Sequence, residues 1–454
     1  MRRDVAGGKR GNGNERTRRI RRADPARIRV GAPDPSLSSV GGLVAFGACM
    51  RRIGVDARLR ESFADLKKSR AVVYPMETQM RLLIDAYVAG EQRVFGLESL
   101  AADPVFVHLA GGVVPSVDTV YRDLTRFDAE HLAVLDTYVA EHAREVVAPM
   151  RLKEAHLDID TTVEPLFGEH EGGLPGYNPR YPGRNSYHPV LARIAEGDMC
   201  LGAQLRPGNT TFGADDVAYV KVLLDRARLA VGPNCVLYTR IDGAADCTAI
   251  MRCVQDSGSF FLTKARMTAD LMSQVMVHES WTTVDVDAND EPVRQVAEIK
   301  FAREEWTKVG LQPRVIAVRS TERDNGKQIH LWEGLDYTVQ VFLTDDAHSD
   351  ADDLARRYDK RAGIEPLIAE LKGSFGIDKV PSQSFDANHA ALLLKVLSYN
   401  LLRRYVRWAA PALTKWRAPW IRRTMILVPA RLLRSGRRRS LRLAPRPALV
   451  AMLN

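Results

Sequence analysis

The sequence predicts a mixed α/β (α+β) protein in which helical segments flank a mixed sheet. Three observations carry this prediction. Between residues 35 and 150, apolar residues recur at the i, i+3, i+4 spacing of amphipathic helices. After residue 150 the chain changes to short alternating or apolar runs bounded by Gly, Pro and Asn, as in strands joined by turns. Residues 276–345 hold several further strand-like runs, and helical spacing returns after residue 346.

Bulk composition excludes several classes of protein. With 454 residues, 45% hydrophobic and 27% charged, the chain is long enough for a large core and has the composition of a globular protein. It has no apolar run of about 20 residues and no signal-peptide pattern, so we expect no membrane span. The five cysteines form no C-x-x-C pair, which argues against a disulfide framework or a zinc site. These features predict a cytoplasmic protein, associated with the nucleoid if its partner is DNA.

Positive charge is concentrated at the two ends of the chain. Residues 1–29 hold eleven Lys/Arg against three acids, and residues 415–446 hold eleven Lys/Arg and no acid. Because the net charge is +9, the rest of the chain carries −10. Basic ends on an acidic body predict contacts with a polyanion, and DNA is the partner we expect. We predict a disordered basic arm at residues 1–34 and a basic C-terminal tail at residues 411–454.

Residues 35–150 are predicted to form a helical DNA-binding or dimerisation region. Two of its segments, "METQMRLLIDAYVAG" and "DAEHLAVLDTYVAEHAREVV", have strong helical periodicity. Between them, Ser116 is placed as an N-cap ahead of "VDTVYRDLTRF". This helix has the shape of the second helix of a helix-turn-helix, with Arg122 facing outward as a DNA-binding candidate.

A mixed α/β core in two parts is predicted to lie after residue 150. Its first part, residues 151–275, contains strand-like runs such as "AHLDIDTT", "CLGAQ", "CVLYTRI" and "SFFLTKA", with the helical run "DDVAYVKVLLDRARLAV" between the second and third. A β-rich insertion at residues 276–345 follows, with the turn Asp324-Asn325-Gly326, and the second part of the core occupies residues 346–410.

Three carboxylates lie where strands end and a helix begins. Asp160 ends the first strand, Asp242 ends "VLYTRI", and Glu365 opens a helix after the last strand. Carboxylates brought together at one sheet edge repel each other unless cations lie between them, and Mg²⁺ is suited to such oxygen ligands. Two such ions would support phosphoryl transfer. Asp158 is a rival to Asp160, because alternation directs both to the same side of the strand.

A spaced set of polar residues surrounds Glu365. In "YDKRAGIEPLIAELK", Tyr358, Arg361, Glu365 and Lys372 would fall within about 60° of one another on a continuous helix. Pro366 argues against that continuity, because proline is tolerated only in the first helical turn and disfavours helical geometry in the residue before it. We therefore expect a helix to begin near Glu365, with Tyr358 and Arg361 on a preceding turn.

The chain resembles the DDE transposases of bacterial insertion sequences over roughly residues 40–440. The resemblance rests on "SVGGL", "LDIDTT", "GYNPRYPGRNSYHP", "LRPGN", "FDANHAALLLKVLSYNLL" and above all the Tyr358, Arg361, Glu365, Lys372 spacing. These features are similar to the branch with a Tyr-Arg-Glu-Lys signature and a β-strand insertion. The resemblance also favours Asp160 over Asp158, because "DTT" matches the family pattern.

The resemblance implies an RNase H-like catalytic core, with the β-rich insertion ahead of the catalytic glutamate. It implies Mg²⁺-dependent cleavage at element ends and strand transfer into a target, by a homodimer on paired DNA ends, with Mn²⁺ as a substitute. Asp160, Asp242 and Glu365 would be the catalytic metal ligands. Further residues would contact DNA. These are Tyr358, Arg361 and Lys372 at phosphates, Arg184 in the Gly/Pro-rich loop, and Trp281, Trp306 or Trp332 on a flipped base.

One departure from the family pattern leaves two other functions open. The second aspartate stands in "RIDGAADCTA" rather than before a Ser-Gly-Phe-like turn, which makes Asp246 a weaker candidate for its role. The alternatives are a catalytically inactive, transposon-derived DNA-binding protein and an RNase H-like nuclease without strand transfer.

Overall fold

The computed structural model describes residues 25–69, 71–243, 246–321 and 337–445. Residues 1–24 of the predicted arm, the Asp324-Asn325-Gly326 turn, Trp332 and the last nine residues of the tail lie outside these ranges. Two compact units divide the chain, Met1–Pro35 and Ser36–Asn454. The described part of the first unit contains one 3₁₀ turn, Pro25–Arg27.

Helices dominate residues 43–147 and 351–421 of the second unit. Ser116 accepts a hydrogen bond from the Thr119 amide, as its predicted N-cap role requires. The described helices are α1 (Leu43–Arg52), α2 (Val55–Phe63), α3 (Met76–Ala89), α4 (Leu97–Leu100), α5 (Pro104–Leu109), α6 (Val117–Leu124), α7 (Ala129–Val147), α8 (Val217–Val231), α9 (Thr248–Asp256), α10 (Ala269–Met276), α11 (Glu304–Lys308), α12 (Ala351–Asp359), α13 (Ile364–Glu370), α14 (Phe385–Ala409) and α15 (Ala418–Ile421).

The strands form three sheets among the described residues. Their bounds are β1 (Leu37–Ser38), β2 (Glu154–Thr161), β3 (Glu164–Pro165), β4 (Leu174–Pro175), β5 (Asn185–Tyr187), β6 (Val190–Ile194), β7 (Met199–Gln204), β8 (Val236–Ile241), β9 (Phe260–Lys264), β10 (Thr282–Val286), β11 (Pro292–Glu298), β12 (Arg314–Thr321), β13 (Tyr337–Thr344), β14 (Ala430–Ser435) and β15 (Arg438–Leu443). Small sheets have the orders β1-β14-β15 and β3-β5-β4, and the largest has the order β10-β11-β12-β13-β9-β8-β2-β6-β7.

The five strands β7-β6-β2-β8-β9 form the centre of the fold. In chain order they are arranged 3-2-1-4-5, with β6 antiparallel to β2 and with β8 and β9 parallel to it. This is the arrangement of an RNase H-like sheet, and the large mixed sheet with flanking helices confirms the predicted fold class.

The β-rich insertion does not form a sheet of its own. Its last strand, β13, pairs antiparallel with β9, so β10–β13 continue the central sheet. The sequence predicted these strands but not where they join.

The long helix α14 lies at the centre of the largest hydrophobic core. Most of its residues are buried, and it packs against α7, α3 and β7. Asn400 of α14 also satisfies the backbone of Cys200 in the edge strand β7, accepting from its amide at 3.0 Å and donating to its carbonyl at 2.8 Å. No helix in the described part of the chain is both long and apolar enough to cross a membrane.

Candidate active site

Asp160 and Asp242 lie side by side at the same edge of the central sheet. β2 and β8 are adjacent and parallel, and Asp158 is directly opposite Arg240. Asp160 is the second-last residue of β2 and Asp242 directly follows β8, so both lie at the carboxyl-terminal edge of these strands. The Thr263 hydroxyl of β9 donates a 2.8 Å hydrogen bond to the Asp242 carbonyl and so fixes the backbone there.

Glu365 is brought to this edge by the helix that packs on β2. α13 begins at Ile364 and contacts β2, so Glu365 lies in its first turn, with its side chain exposed. Pro366 is the third residue of this helix, where a missing amide hydrogen costs no intrahelical bond. The helix therefore begins where the sequence predicted.

The electrostatics of Asp160 show that the three carboxylates influence one another. The pKa of Asp160 is raised to about 6, chiefly by burial and also by the negative charges of Asp242 and Glu365, against the lowering effect of Arg361. Like charges act on a carboxyl pKa in this way only at short range. Residues from three distant parts of the sequence thus converge on one site.

The three carboxylates suit a hard divalent cation in their chemistry, although their side chains are not as close together as metal ligands. Three carboxylates supply only oxygen atoms, the ligands that Mg²⁺ and Mn²⁺ prefer. A cation between them would remove the repulsion that raises the Asp160 pKa. Among the residues that the structure describes, no group of three or more His, Cys, Asp or Glu side chains is close enough to hold a metal ion.

Arg361 lies beside Asp160 on the 3₁₀ turn between α12 and α13. Its Nη2 is 2.9 Å from the Asp160 Oδ1, an ion-pair contact. The residue is buried, and within the described ranges its Nε and Nη2 make no hydrogen bond of good geometry. A buried guanidinium with donors to spare is suited to a phosphate oxygen.

Tyr358 lies among the same charged groups as Arg361, whereas Lys372 lies near Glu164 and Asp378. The Tyr358 ring is buried at the end of α12 and packs on Phe342, with ring centroids 4.7 Å apart. Lys372 lies in a π-helical turn after α13, where its Nζ donates to the Val163 carbonyl at 2.8 Å. Tyr358 is as buried as Arg361, and the Lys372 Nζ is bonded to a backbone carbonyl, so the phosphate contacts expected of both residues stay predictions.

The two rival aspartates are held by structural contacts. Asp158 is fully buried and accepts hydrogen bonds from the Arg193 Nε at 3.1 Å and the Arg240 Nε at 2.7 Å. Asp246 is also buried, and the Arg303 Nη1 donates to both of its carboxylate oxygens. The carboxylates of both aspartates are thus paired with arginine side chains. No local sequence pattern predicts these ion pairs, because each arginine comes from a different strand or loop.

The remaining DNA-binding candidates lie in different environments. Arg122 is exposed on α6, and Arg184 is exposed with its guanidinium 4.5 Å from the Phe167 ring. Trp281 is half-buried beneath Arg319, whose guanidinium is 4.3 Å from its ring. Trp306 is only 1% exposed and packs edge-on against Phe301, which corrects the expectation that its ring is available to a base.

Comparison with known proteins places the chain among transposase domains. The model of the family described as transposase DDE domain group 1 matches residues 22–453. No curated protein gives a significant match. Seven chains of solved structures match. One is a cryo-EM structure of a piggyBac transposase synaptic complex with hairpin DNA, 11% identical, with a TM-score of 0.45 over 85% of this chain and 79% of that chain. A similarity this distant carries no argument about individual residues.

Proposed function

The chain belongs to the transposase DDE domain group 1 family, and from this premise we propose that it is a cut-and-paste DNA transposase. It would cleave at the ends of a bacterial insertion sequence and transfer the cleaved strands into target DNA as a homodimer on paired ends. The observation that carries the proposal is the convergence of Asp160, Asp242 and Glu365 at one edge of the central sheet, where Asp242 and Glu365 act on the Asp160 pKa.

In this proposal each polar residue of the site has a distinct role. Asp160, Asp242 and Glu365 would hold two Mg²⁺ ions, and such ions activate a water or 3′-hydroxyl and stabilise the leaving oxygen. Arg361 would bind a phosphate oxygen beside Asp160 through its spare donors. Tyr358 would support the site from the core, because its ring packs on Phe342. Lys372 would hold the chain after Asp160 in place through the Val163 carbonyl.

Substitution of Glu365 by Gln tests the proposal. We expect Glu365→Gln to abolish Mg²⁺-dependent nicking of DNA that carries the terminal inverted repeats flanking the gene, while binding of those ends persists. Glutamine keeps the shape of the side chain and removes the charge that a cation needs. Glu304→Gln is a matched control, because Glu304 is 83% exposed on α11 and pairs with Lys308.

Three outcomes separate the proposed function from its alternatives. Full nicking by Glu365→Gln would refute the assignment of the site. End binding by the wild-type protein without any nicking in Mg²⁺ or Mn²⁺ would identify an inactive DNA-binding relative. Nicking without joining to a target plasmid would identify a nuclease that lacks strand transfer.

A further inference from the structure

The C-terminal part of the described chain forms an arginine-rich β-hairpin. Strands β14 and β15 are joined by the two-residue turn Gly436-Arg437, in which Gly436 has a φ of +59°. We call residues 430–443 the arginine ribbon. The ribbon contains no acid, and its six exposed arginines are Arg431, Arg434, Arg437, Arg438, Arg439 and Arg442.

The base of the ribbon is fixed to the body of the protein. β14 pairs antiparallel with β1, and the Leu432 amide donates to the Ser36 carbonyl at 2.8 Å. Leu432 and Leu441 face each other across the ribbon and pack against the largest hydrophobic core. Beyond them, residues 434–440 are all exposed. The ribbon is therefore an ordered projection with a buried base and a cationic outer half.

Arginines oppose each other directly across the two strands. Arg431 is paired with Arg442, and Arg434 with Arg439. Like charges in directly opposite positions destabilise a β-hairpin. Two of these side chains contact neutral groups, since the Arg434 Nε donates to the Gly436 carbonyl and the Arg439 Nη1 lies 2.7 Å from the His108 Nδ1. The ribbon contains no acid that could neutralise the opposed Arg434 and Arg439, whereas a polyanion would.

The dimensions of the ribbon indicate which kind of polyanion it fits. Two six-residue strands give a ribbon about 20 Å long and about 5 Å between strand axes. The major groove of B-DNA, about 12 Å wide, admits a two-stranded β-ribbon, and arginine there binds guanine O6 and N7 as well as phosphates. We propose that the arginine ribbon lies in the major groove of duplex DNA and forms a DNA site separate from the three carboxylates. The proposed function enters only in the choice of DNA as the polyanion.

Binding measurements with the full-length chain test this second site. Fluorescence anisotropy with a 30-bp duplex of arbitrary sequence, in EDTA to prevent cleavage, would compare wild type with Arg434→Gln/Arg438→Gln/Arg439→Gln. We expect the affinity to fall about tenfold or more, and the slope of log K against log salt concentration to decrease by about two to three, roughly one for each lost phosphate contact.

The matched control removes the same charge elsewhere. In Arg60→Gln/Lys221→Gln/Lys308→Gln, each lost cation is an exposed residue paired with a nearby acid. We expect this variant to keep nearly the wild-type salt slope. The ribbon variant should melt at or above the wild-type temperature, because it loses an opposed Arg-Arg pair, so a lower affinity would not reflect unfolding.

Methylation of guanine N7 tests the groove itself. We expect the wild-type protein to bind the methylated duplex more weakly than the unmethylated one, because N7 lies in the major groove. The ribbon variant should bind the two duplexes with similar affinity. The proposal is overturned if the ribbon variant keeps the wild-type salt slope or if methylation leaves wild-type binding unchanged. It is also overturned if the ribbon substitutions lower the affinity for single-stranded DNA or duplex RNA as much as the affinity for duplex DNA. Because catalysis plays no part in these measurements, they can fail while the Glu365 assay succeeds, and the reverse.

Discussion

Asp158 and Asp160 show how two identical residues on one strand acquire different roles. Alternation directs both side chains to the same side of β2. Asp158 lies inside the sheet between Arg193 and Arg240, and it is fully buried. Asp160 lies at the end of the strand, where the pKa of its carboxyl is raised to about 6 by burial and by nearby negative charges. The first aspartate is thus a structural partner for two arginines, and the second is a site residue.

Asparagine at each position should separate stability from catalysis. We expect Asp158→Asn to lower the free energy of unfolding by about 3–5 kcal/mol, because it leaves the buried Arg240 without its counter-charge and leaves Arg193 with Asp198 alone. Asp160→Asn should abolish cleavage with a smaller loss of stability, because it breaks the ion pair with Arg361 but also removes a charge that burial, Asp242 and Glu365 oppose. Urea denaturation and the nicking assay measure the two effects. Equal stability of Asp158→Asn and wild type would contradict this division of roles.

At the scale of elements, the stretch around Glu365 does not form the continuous α-helix that a helical wheel assumes. Residues 351–375 form α12, a 3₁₀ turn, α13 and a π-helical turn in succession. Each change of helical type rotates the side chains that follow relative to a continuous α-helix. Tyr358 therefore enters the core, Arg361 reaches Asp160, and Lys372 reaches Val163. Pro366 predicted the start of α13. No local signal predicted the tighter 3₁₀ turn before this helix or the wider π-helical turn after it.

The Gly41-Gly42 pair of "SVGGL" has a packing role that the sequence alone did not reveal. The two amides donate to the carbonyls of Val428 and Ile426, just before the arginine ribbon. A Cβ atom at Gly42 would lie 1.8 Å from the Met425 carbonyl oxygen, which belongs to the backbone and cannot move aside like a side chain. The two glycines therefore allow the backbone at the start of α1 to pack directly against the backbone of residues 425–428.

Alanine at Gly42 should therefore destabilise the protein strongly. We expect Gly42→Ala to lower the free energy of unfolding by about 3 kcal/mol or more, since overpacking against backbone forces the two segments apart. Gly47→Ala is the matched control inside α1. Its Cβ would meet only the Arg81 Nη2 at 3.5 Å, and alanine has the higher helix propensity. Denaturant unfolding of both variants would contradict the prediction if Gly42→Ala were as stable as Gly47→Ala.

At the scale of the whole molecule, local patterns predicted the elements and missed how they join. The alternating runs predicted β2, β8 and β9, and the order of the central strands follows the expected RNase H-like sheet. By contrast, the N-terminal helices and α14 share one hydrophobic core, and the insertion shares the central sheet. These contacts link elements that are far apart in the sequence, and periodicity carries no information about such partners. The basic tail likewise predicted charge but not a hairpin.

A buried charged cluster joins the small β3-β5-β4 sheet to α14. Glu164 is 1% exposed, and among the described residues neither of its carboxylate oxygens has a hydrogen-bond partner. The pKa of Glu164 is raised to about 8, because burial outweighs the lowering effect of Lys372 and Lys395. Burial lowers the pKa of Lys395 to about 7, and its Nζ donates to the carbonyls of Gly376 and Lys379. The stability of the molecule should therefore depend on pH through both groups.

The two groups act in different pH ranges, which allows Glu164 to be tested alone. Between pH 4.5 and 8 the folded chain keeps a proton on Glu164 that the unfolded chain releases, so stability falls as pH rises. Lys395 has the opposite effect, between pH 7 and 10.5.

We therefore expect Glu164→Gln to gain about 2 kcal/mol of unfolding free energy relative to wild type between pH 5 and 7, at no more than about 1.4 kcal/mol per pH unit. Urea denaturation at both pH values measures this gain, with the exposed Glu169→Gln as the control. A difference between variant and wild type that stays constant from pH 5 to 7 would mean that Glu164 is ionised in the folded protein and paired with its lysines.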